Sequence, residues 1–311
     1  MGEWLIMINV FNNEPLEYSK YAISILEDIG NYYDTPTKEP IHAIITRLGE
    51  LIDYNFLNRF PELKFILTAT TGLNHIDEAE CAKRQIQIVS LRGEVDFLSS
   101  IAATAEHTIA LMLSLLRHIP ASVTDVNNGN WDRMTHKGNE LKNKTLCILG
   151  MGRLGVQVAH IASAFQMKIQ CFDHKMVNEY SCSNDLKTAL LGSDIISIHL
   201  PYDENTHGLI TKEHILQMNP SGYVINTSRG QIINETDLVE CLYEGFLAGV
   251  AVDVLETEYL LTESPLWQYS QQTNIHNVII TPHIGGCTYE SMENTEIFIA
   301  QKFKQLVGHN Q

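Results

Sequence analysis

The sequence predicts an α/β fold with two doubly wound parallel-sheet domains. Short runs rich in β-branched residues alternate with helix-length segments along most of the chain, which is typical of parallel sheets covered by helices. Several of these runs are almost continuously apolar, as strands buried on both faces are. The alternation is interrupted once, near residue 100. This interruption indicates two separate sets of strands and helices.

The predicted strands fall into two groups, one on each side of the interruption. They cover residues 4–10, 42–46, 64–70 and 86–90 in the first group, and residues 144–149, 168–172, 195–200, 222–226, 248–252 and 277–280 in the second. Within the second group, Cys147-Ile148-Leu149 shows the continuous apolarity expected of a central parallel strand.

The interruption itself predicts one long helix over residues 98–117, which contain neither Gly nor Pro. The chain becomes helical again over residues 291–307, which Gly308 terminates. Because this last helix could cross back to the first set of strands, we expect a discontinuous first domain of residues 1–100 plus 285–311. Residues 101–284 then form the second domain.

Composition limits the possible partners. The chain of 311 residues has 21 Lys and Arg against 37 Asp and Glu, a formal net charge of −16. Such a chain repels nucleic acids and anionic membranes. No apolar run reaches the roughly 20 residues of a membrane-spanning helix, and residues 1–10 lack the basic flank and cleavage site of a signal peptide. We therefore expect a cytoplasmic protein with no nucleic-acid or membrane partner.

The six cysteines contain no CxxC pair. Cys147 and Cys171 lie in apolar, strand-like runs. For an intracellular chain these features predict buried, reduced thiols.

A glycine-rich turn follows the predicted strand 144–149 and begins a predicted helix. Its sequence is Gly150-Met151-Gly152-Arg153-Leu154-Gly155. In this context Gly150 permits a tight turn, Gly152 lets the backbone approach a pyrophosphate, and Gly155 allows close packing of helix and strand. The amides of Arg153 and Leu154 lie at the positive end of the helix dipole and can bind an anion there.

The next predicted strand ends in an acidic residue, Asp173, at about the expected distance from the glycines. Its carboxylate suits the ribose hydroxyls of NAD and would repel the 2′-phosphate of NADP. Lys175, two residues further on, leaves NADP as an alternative. The predicted cofactor is NAD.

Three chemically useful groups follow the last predicted strands, where open α/β sheets bind ligands. Arg229 follows strand 222–226, and its planar guanidinium suits a carboxylate. Asp253, Glu256 and Glu258 follow strand 248–252. His283 lies between Pro282 and two glycines, and a histidine titrates near neutrality. Hydride transfer to a 2-oxo acid needs such a carboxylate anchor and such an acid–base group.

These motifs resemble the D-isomer-specific 2-hydroxyacid dehydrogenase family over nearly the whole chain. The resemblance implies a Rossmann NAD-binding domain, a flavodoxin-like substrate domain and a catalytic Arg229–Glu258–His283 set. It selects Glu258, five residues past Asp253, over Glu256. It implies that His283 exchanges a proton with the substrate oxygen and that Asp253 helps to position the nicotinamide.

The resemblance also implies further contacts. It predicts that the backbone amides of a loop with Thr71 and Gly72 hold the substrate carboxylate, although Asn74 stands where the family usually has an acid. The residues implied to line the cofactor are His199, Pro201, Thr206 and Thr227. His107 falls at the start of a family helix used in dimers, where we interpret it as an interface packing residue. A homodimer is therefore expected.

The substrate stays open among several small acids. The chain is similar to compact D-3-phosphoglycerate dehydrogenases, and Arg47 or Arg92 could meet a phosphate. D-lactate, glyoxylate and hydroxypyruvate are alternatives. Outside this reaction, an NAD(H)-sensing binding protein related to corepressors remains an alternative. A formate dehydrogenase is disfavoured by Glu258, and a metal hydrolase by the absence of an HExxH motif from the sequence. No metal site is predicted.

Overall fold

The computed structural model describes residues 7–174, 180, 182–272 and 276–308. The chain forms two compact units. Unit 1 comprises Met1–Ser100 and Thr288–Gln311, and unit 2 comprises Ile101–Cys287. The two crossings of the chain between the units therefore lie at residues 100/101 and 287/288, against the predicted 100/101 and 284/285.

Unit 1 contains a parallel sheet of five strands. The strands are β1 (Ile8–Asn12), β2 (Gly30–Tyr33), β3 (Ala43–Thr46), β4 (Phe65–Thr68) and β5 (Gln87–Val89). Their order is β2-β1-β3-β4-β5, which is the flavodoxin-like order expected of this unit. Every residue of β3 is buried, as a central strand covered on both faces must be.

Helices α1 (Lys20–Glu27), α2 (Tyr54–Leu57) and α3 (Glu78–Lys83) lie between these strands in the sequence, and α4 (Val95–Ser99) follows β5. Three of them begin at a side-chain cap, because Ser19, Asp53 and Asp77 each accept a hydrogen bond from a backbone N–H of the first turn. The caps fix where each helix starts and hence the length of each loop at the edge of the sheet.

Unit 2 contains a parallel sheet of seven strands. The strands are β6 (Thr145–Leu149), β7 (Lys168–Phe172), β8 (Cys182–Ser183), β9 (Ile195–Ile198), β10 (Gly222–Asn226), β11 (Leu247–Val252) and β12 (Val278–Ile280). Their order is β12-β11-β10-β9-β6-β7-β8. This is the doubly wound dinucleotide-binding order with β12 added at one edge, and the order reverses between β6 and β9.

The helices of unit 2 pack around this sheet. They are α5 (Ala103–Leu116), α6 (Ile119–Asn127), α7 (Arg153–Ala164), α8 (Leu186–Leu190), α9 (Lys212–Ile215), α10 (Glu235–Tyr243) and α11 (Pro265–Ser270), with 3-10 turns at Gly230–Ile232 and Glu258–Glu263. Helix α5 is the most buried, and its apolar side chains join those of β6 and α7 in one core cluster.

The last helix, α12 (Tyr289–Gly308), belongs to unit 1. Phe303 is fully buried, and its ring lies 5.1 Å from that of Phe65 in β4. The helix therefore covers the sheet of unit 1, which makes that unit discontinuous in sequence.

Three local predictions were wrong. The single helix over residues 98–117 is divided into α4 and α5. The hydroxyls of Ser99 and Ser100 donate to the carbonyls of Asp96 and Phe97, and such bonds compete with helical ones. Strands β2 and β8 were not predicted, because both are short edge strands with polar residues.

The third error concerns the cysteines. Cys171 and Cys182 are directly paired across the parallel strands β7 and β8 and form a disulfide, with their Cα atoms 4.4 Å apart. Cys287 is exposed, and the remaining thiols, Cys81, Cys147 and Cys241, are free and buried as predicted.

Within the described residues, one stretch, Val95–Leu116, has the length and apolar composition of a membrane span, with a mean hydropathy of 1.3. The stretch is broken between Ser99 and Ala103, and its second part is the core helix α5. The apolar composition of this second part is that of a core helix of unit 2.

Candidate active site

The glycine-rich turn connects β6 to α7 at the point where the strand order of unit 2 reverses. Gly150 has a φ of +95°, and a side chain there would meet the carbonyl oxygen of His199 at 2.8 Å. A side chain at Gly155 would meet the carbonyl oxygen of Gly150 at 2.1 Å. Only glycine therefore fits these two positions.

The turn leaves space where a pyrophosphate is expected. A side chain added at Gly152 would have open space around it. Gly152 is the N-cap of α7 and has no side chain that could cap the first helical turn. The first residues of the helix, Arg153 and Leu154, thus present their amides at its positive end. These features fit the pyrophosphate of a dinucleotide.

Asp173 lies directly after β7 and beside this turn. Its Oδ2 accepts the N–H of Met151 at 2.8 Å, and its own N–H donates to the carbonyl of Ser183 at 3.1 Å. The carboxylate is therefore held next to the glycines, as a contact to the cofactor ribose requires. Lys175 lies outside the described residues.

The segment after β9 contains the other predicted cofactor contacts. His199 is partly buried, and the desolvation of its ring lowers its pKa to about 3, so the ring is neutral. Its Nε2 is hydrogen-bonded to Ser197 Oγ at 2.8 Å. Thr206 Oγ1 donates to the carbonyl of Pro201 at 2.8 Å. Thr206 therefore closes a turn that follows Pro201.

The two residues predicted to form an acid–base pair, His283 and Glu258, contact each other. His283 Nδ1 donates to Glu258 Oε2 at 2.8 Å, and the two side chains are 22% and 29% exposed. Both residues follow neighbouring strands, β11 and β12, which end at the same edge of the sheet. The pair is therefore accessible, and the bond to Glu258 orients the imidazole.

The backbone of His283 adopts a strained conformation that Asp253 holds in place. The φ of His283 is +54°, a region that a non-glycine residue rarely adopts. Its N–H donates to the Asp253 carbonyl at 2.9 Å. The next two amides, of Ile284 and Gly285, donate to the Asp253 carboxylate at 2.9 and 2.7 Å. Such strain persists where the surroundings over-determine it.

Asp253 is only 2% exposed and receives two further donors. Thr281 Oγ1 lies 2.5 Å and His107 Nε2 lies 3.2 Å from Oδ1. Burial opposes ionisation of this carboxyl, but the hydrogen bonds from His107, Thr281 and the two amides outweigh it and keep the pKa of Asp253 below its ordinary value. The carboxylate is therefore charged and supports the loop that carries His283.

Arg229 follows β10 in an extended conformation. Its Nη1 donates to the Ser228 carbonyl at 2.7 Å, and Asn226 Nδ2 donates to the Arg229 carbonyl at 3.0 Å. Burial lowers the pKa of Arg229, and the charge of Glu258 counteracts this shift. Arg229 and the His283–Glu258 pair are thus electrostatically coupled.

The sequence did not reveal the role of two residues. His107 and Thr281 are hydrogen-bonded to each other at 3.0 Å and both contact Asp253. His107 therefore has polar contacts inside unit 2, whereas the sequence suggested interface packing.

Thr227 Oγ1 is hydrogen-bonded to Thr108 Oγ1 at 2.8 Å, so the hydroxyl of Thr227 connects the end of β10 to α5. The sequence signal for this contact was Thr108, a polar residue among the apolar positions of α5.

In unit 1, Thr71 and Gly72 lie in the loop after β4. Thr70 Oγ1 donates to the Gly72 carbonyl at 2.9 Å and bonds to Thr68 Oγ1 at 3.0 Å, which fixes the loop. Within the described part of the chain, the N–H groups of Thr71 and Gly72 have no hydrogen-bond acceptor. These amides suit a carboxylate oxygen.

Both arginines considered for a phosphate are paired with acids. Arg47 Nη2 lies 2.5 Å from Glu296 Oε1. Arg92 makes a two-point contact with Glu78, at 2.8 and 2.9 Å. Across the described residues, no three His, Cys, Asp or Glu side chains are placed to hold a metal ion.

Comparison with known proteins agrees with this geometry. Residues 109–285 match the family model described as D-isomer specific 2-hydroxyacid dehydrogenase, NAD binding domain. A glyoxylate reductase of Thermofilum pendens is 36% identical over 261 residues, which cover 81% of this chain and 74% of that protein. A D-3-phosphoglycerate dehydrogenase of Bacillus subtilis is 33% identical over 301 residues. This match covers 94% of the chain but 54% of the longer relative.

A solved structure shows the same architecture. The D-lactate dehydrogenase from Aquifex aeolicus, complexed with NAD and lactic acid, is 28% identical and superposes with a TM-score of 0.81. The match covers 97% of this chain and 96% of that one. The predicted fold of two parallel-sheet α/β domains is confirmed.

Proposed function

From the premise that this chain belongs to the D-isomer specific 2-hydroxyacid dehydrogenase family, we propose that it interconverts a small D-2-hydroxy acid and its 2-oxo acid. The chain is an NAD-dependent oxidoreductase. The observation that carries the proposal is the accessible His283–Glu258 pair, held by Asp253 in a strained loop at the edge of a dinucleotide-binding sheet.

His283 is the proposed proton donor in reduction and acceptor in oxidation. Its Nδ1 is bonded to Glu258, so Nε2 is the ring atom left to meet the substrate oxygen. Glu258 fixes the tautomer and the orientation of the ring. Asp253 fixes the backbone, and the imidazole therefore needs little reorganisation when the proton moves.

Each unit, taken by itself, offers one candidate group for a substrate carboxylate. Arg229 offers a planar fork with two parallel donors, which matches a carboxylate. In unit 1, the amides of Thr71 and Gly72 are suited to a carboxylate oxygen. NAD, when bound, supplies or accepts the hydride at C2 of the substrate. The turn with Gly150, Gly152 and Gly155 would hold its pyrophosphate, and Asp173 its adenosine ribose.

The quaternary state and location stay predictions. We expect a homodimer in the cytoplasm, supported by the family resemblance of the segment that begins at Ala105-Glu106-His107. A molar mass near 70 kDa from light scattering, twice the 35.1 kDa of the chain, is the expected result. A mass near that of one chain would contradict the dimer.

The test is NADH oxidation, followed by absorbance, with glyoxylate, hydroxypyruvate, pyruvate and 3-phosphohydroxypyruvate, and with NADPH in parallel. We expect turnover of at least one unphosphorylated acid with NADH. NADH binding without turnover of any acid would contradict the proposal and favour an NAD(H)-sensing protein.

A further inference from the structure

Arg47 stands at the carboxyl end of β3, with its guanidinium held on several sides. Nη2 contacts Glu296 Oε1 at 2.5 Å, and Nη1 donates to the Leu16 carbonyl at 2.9 Å. The guanidinium also lies 5.5 Å from the centre of the Tyr18 ring. Its charge is thus engaged inside unit 1.

The partner acid is almost completely buried. Glu296, in α12, is 2% exposed, and its second oxygen accepts the N–H of Ser19 at 2.7 Å. Ser19 is the N-cap of α1. Since a buried carboxylate that loses its cation is strongly destabilised, Arg47 cannot leave Glu296 for a ligand at low cost.

A second acid, Glu14, binds the backbone of the same loop. Glu14 Oε1 accepts the backbone N–H of Arg47 at 2.8 Å and the Thr46 hydroxyl at 3.0 Å, and its Oε2 accepts the Gly49 N–H at 3.1 Å. Glu296 thus pairs with the guanidinium of Arg47, whereas Glu14 places a second carboxylate against the backbone of the loop that Arg47 begins. With Glu296 balancing the charge of Arg47, the carboxylate of Glu14 adds negative charge beside this loop.

This loop neighbours the one proposed to meet the substrate carboxylate. β3 and β4 are adjacent parallel strands, with Thr46 paired to Thr68. The chain leaves both strands at the same edge of the sheet. The loop with Arg47 and the loop with Thr71 and Gly72 therefore start side by side.

We propose that Glu296 is a specificity-determining residue, which makes the enzyme select 2-oxo acids without a second anionic group. This inference rests on the proposed function and names its substrate class. Glu296 neutralises the arginine that could meet a phosphate or a second carboxylate, and Glu14 adds repulsion. Selection against a substrate by unfavourable charge is a common route to specificity.

The experiment compares two substrates in one variant. For Glu296→Gln and for the unchanged protein, kcat/KM is measured with 3-phosphohydroxypyruvate and with hydroxypyruvate. Loss of the buried negative charge should raise the ratio of the first value to the second by about tenfold. An unchanged ratio overturns the proposal.

A matched control tests whether position matters. Asp28→Asn makes the same charge change in unit 1, beside Lys304 instead of Arg47, and Asp28 is exposed. It should leave the ratio unchanged. An equal rise in this control would show a general charge effect and would overturn the proposal. The double variant Arg47→Ala/Glu296→Gln should lose the gain, because no cation remains.

A second variant covers the case in which Glu296→Gln does not fold. Glu14→Gln removes the carboxylate bound to the backbone of the same loop. It should raise the ratio of kcat/KM for 3-phosphohydroxypyruvate to that for hydroxypyruvate by a smaller factor. An unchanged ratio in this variant overturns the proposal.

Calorimetric binding of 3-phosphoglycerate, without turnover, separates this inference from the proposed function. Tighter binding by Glu296→Gln supports the inference even if no acid is turned over. Turnover of hydroxypyruvate with equal 3-phosphoglycerate binding by both proteins leaves the proposed function intact and overturns the inference.

Discussion

An arginine follows a strand at the carboxyl edge of each sheet, and the two arginines have neighbouring acids of different burial. Arg47 follows β3 in unit 1 and is paired with Glu296, which is 2% exposed. Arg229 follows β10 in unit 2, where the nearby acid, Glu258, is 29% exposed and bonded to His283. One acid is fixed in a core, and the other is part of an accessible acid–base pair.

This difference shows that the position of an arginine at a strand end does not decide its role. Both positions satisfy the rule that ligands bind past the carboxyl ends of parallel strands. What separates them is the burial and the second partner of the neighbouring carboxylate. A buried acid that is also bonded to a helix cap keeps its arginine paired, whereas the acid bonded to His283 belongs to the proposed acid–base pair.

The largest expected effect comes from removing the acid–base group of unit 2. His283→Ala should lower kcat by about 10³-fold and leave the NADH dissociation constant nearly unchanged, because His283 acts on the substrate oxygen. Steady-state kinetics and NADH fluorescence titration measure the two quantities. His136→Ala is the matched control, since His136 pairs with Asp125 at 2.7 Å elsewhere in unit 2. Unchanged turnover in His283→Ala would contradict the assignment.

The second prediction compares the two arginines directly. Arg229→Lys should raise KM for the 2-oxo acid by about 10- to 100-fold, because an ammonium cannot make the two parallel bonds of a guanidinium. Arg47→Lys keeps the charge beside Glu296 and should change KM by less than about twofold. A larger effect on KM from Arg47→Lys than from Arg229→Lys would reverse the comparison between the two units.

The sequence predicted the elements that local patterns specify. The turn at Gly150, the acid Asp173 and the motifs around Arg229 and His283 each depend on a strand and the few residues after it. Hydrophobic periodicity and glycine positions therefore located them. The edge strands β2 and β8 were missed because short polar strands lack that periodicity.

Contacts between residues far apart along the chain could not be predicted from the sequence. His107 and Thr281 are 174 residues apart, and Arg47 and Glu296 are 249 apart. Only the packing of α5 and α12 onto their sheets brings these side chains together. The sequence thus predicted which residues carry the chemistry, whereas the structure shows which residues contact and support them.

The third prediction tests the support of His283. His107→Leu removes one donor from Asp253 and should lower kcat by about tenfold, as the loss of one bond to a charged group predicts, with little change in KM. His107→Gln supplies an amide N–H in a similar place and should restore most of the activity. A purely structural role would lower the thermal midpoint of both variants without this difference in kcat. Equal kcat values for the two variants would therefore contradict the positioning role.

The smallest expected effect concerns His199, which follows β9 in unit 2. Its neutral ring should make the free energy of unfolding depend on pH. Burial lowers its pKa to about 3 in the folded protein, whereas the unfolded chain binds a proton near pH 6.5. Between these values the unfolded state binds more protons, so His199 reduces the free energy of unfolding as the pH falls below about 6.5, by up to about 1.4 kcal/mol per pH unit. His199→Asn should flatten this dependence in urea unfolding between about pH 6.5 and pH 5. The control, His207→Asn, changes an exposed histidine and should leave the slope unchanged. An equal slope in His199→Asn and the unchanged protein would show that the ring is not held neutral by burial at this edge.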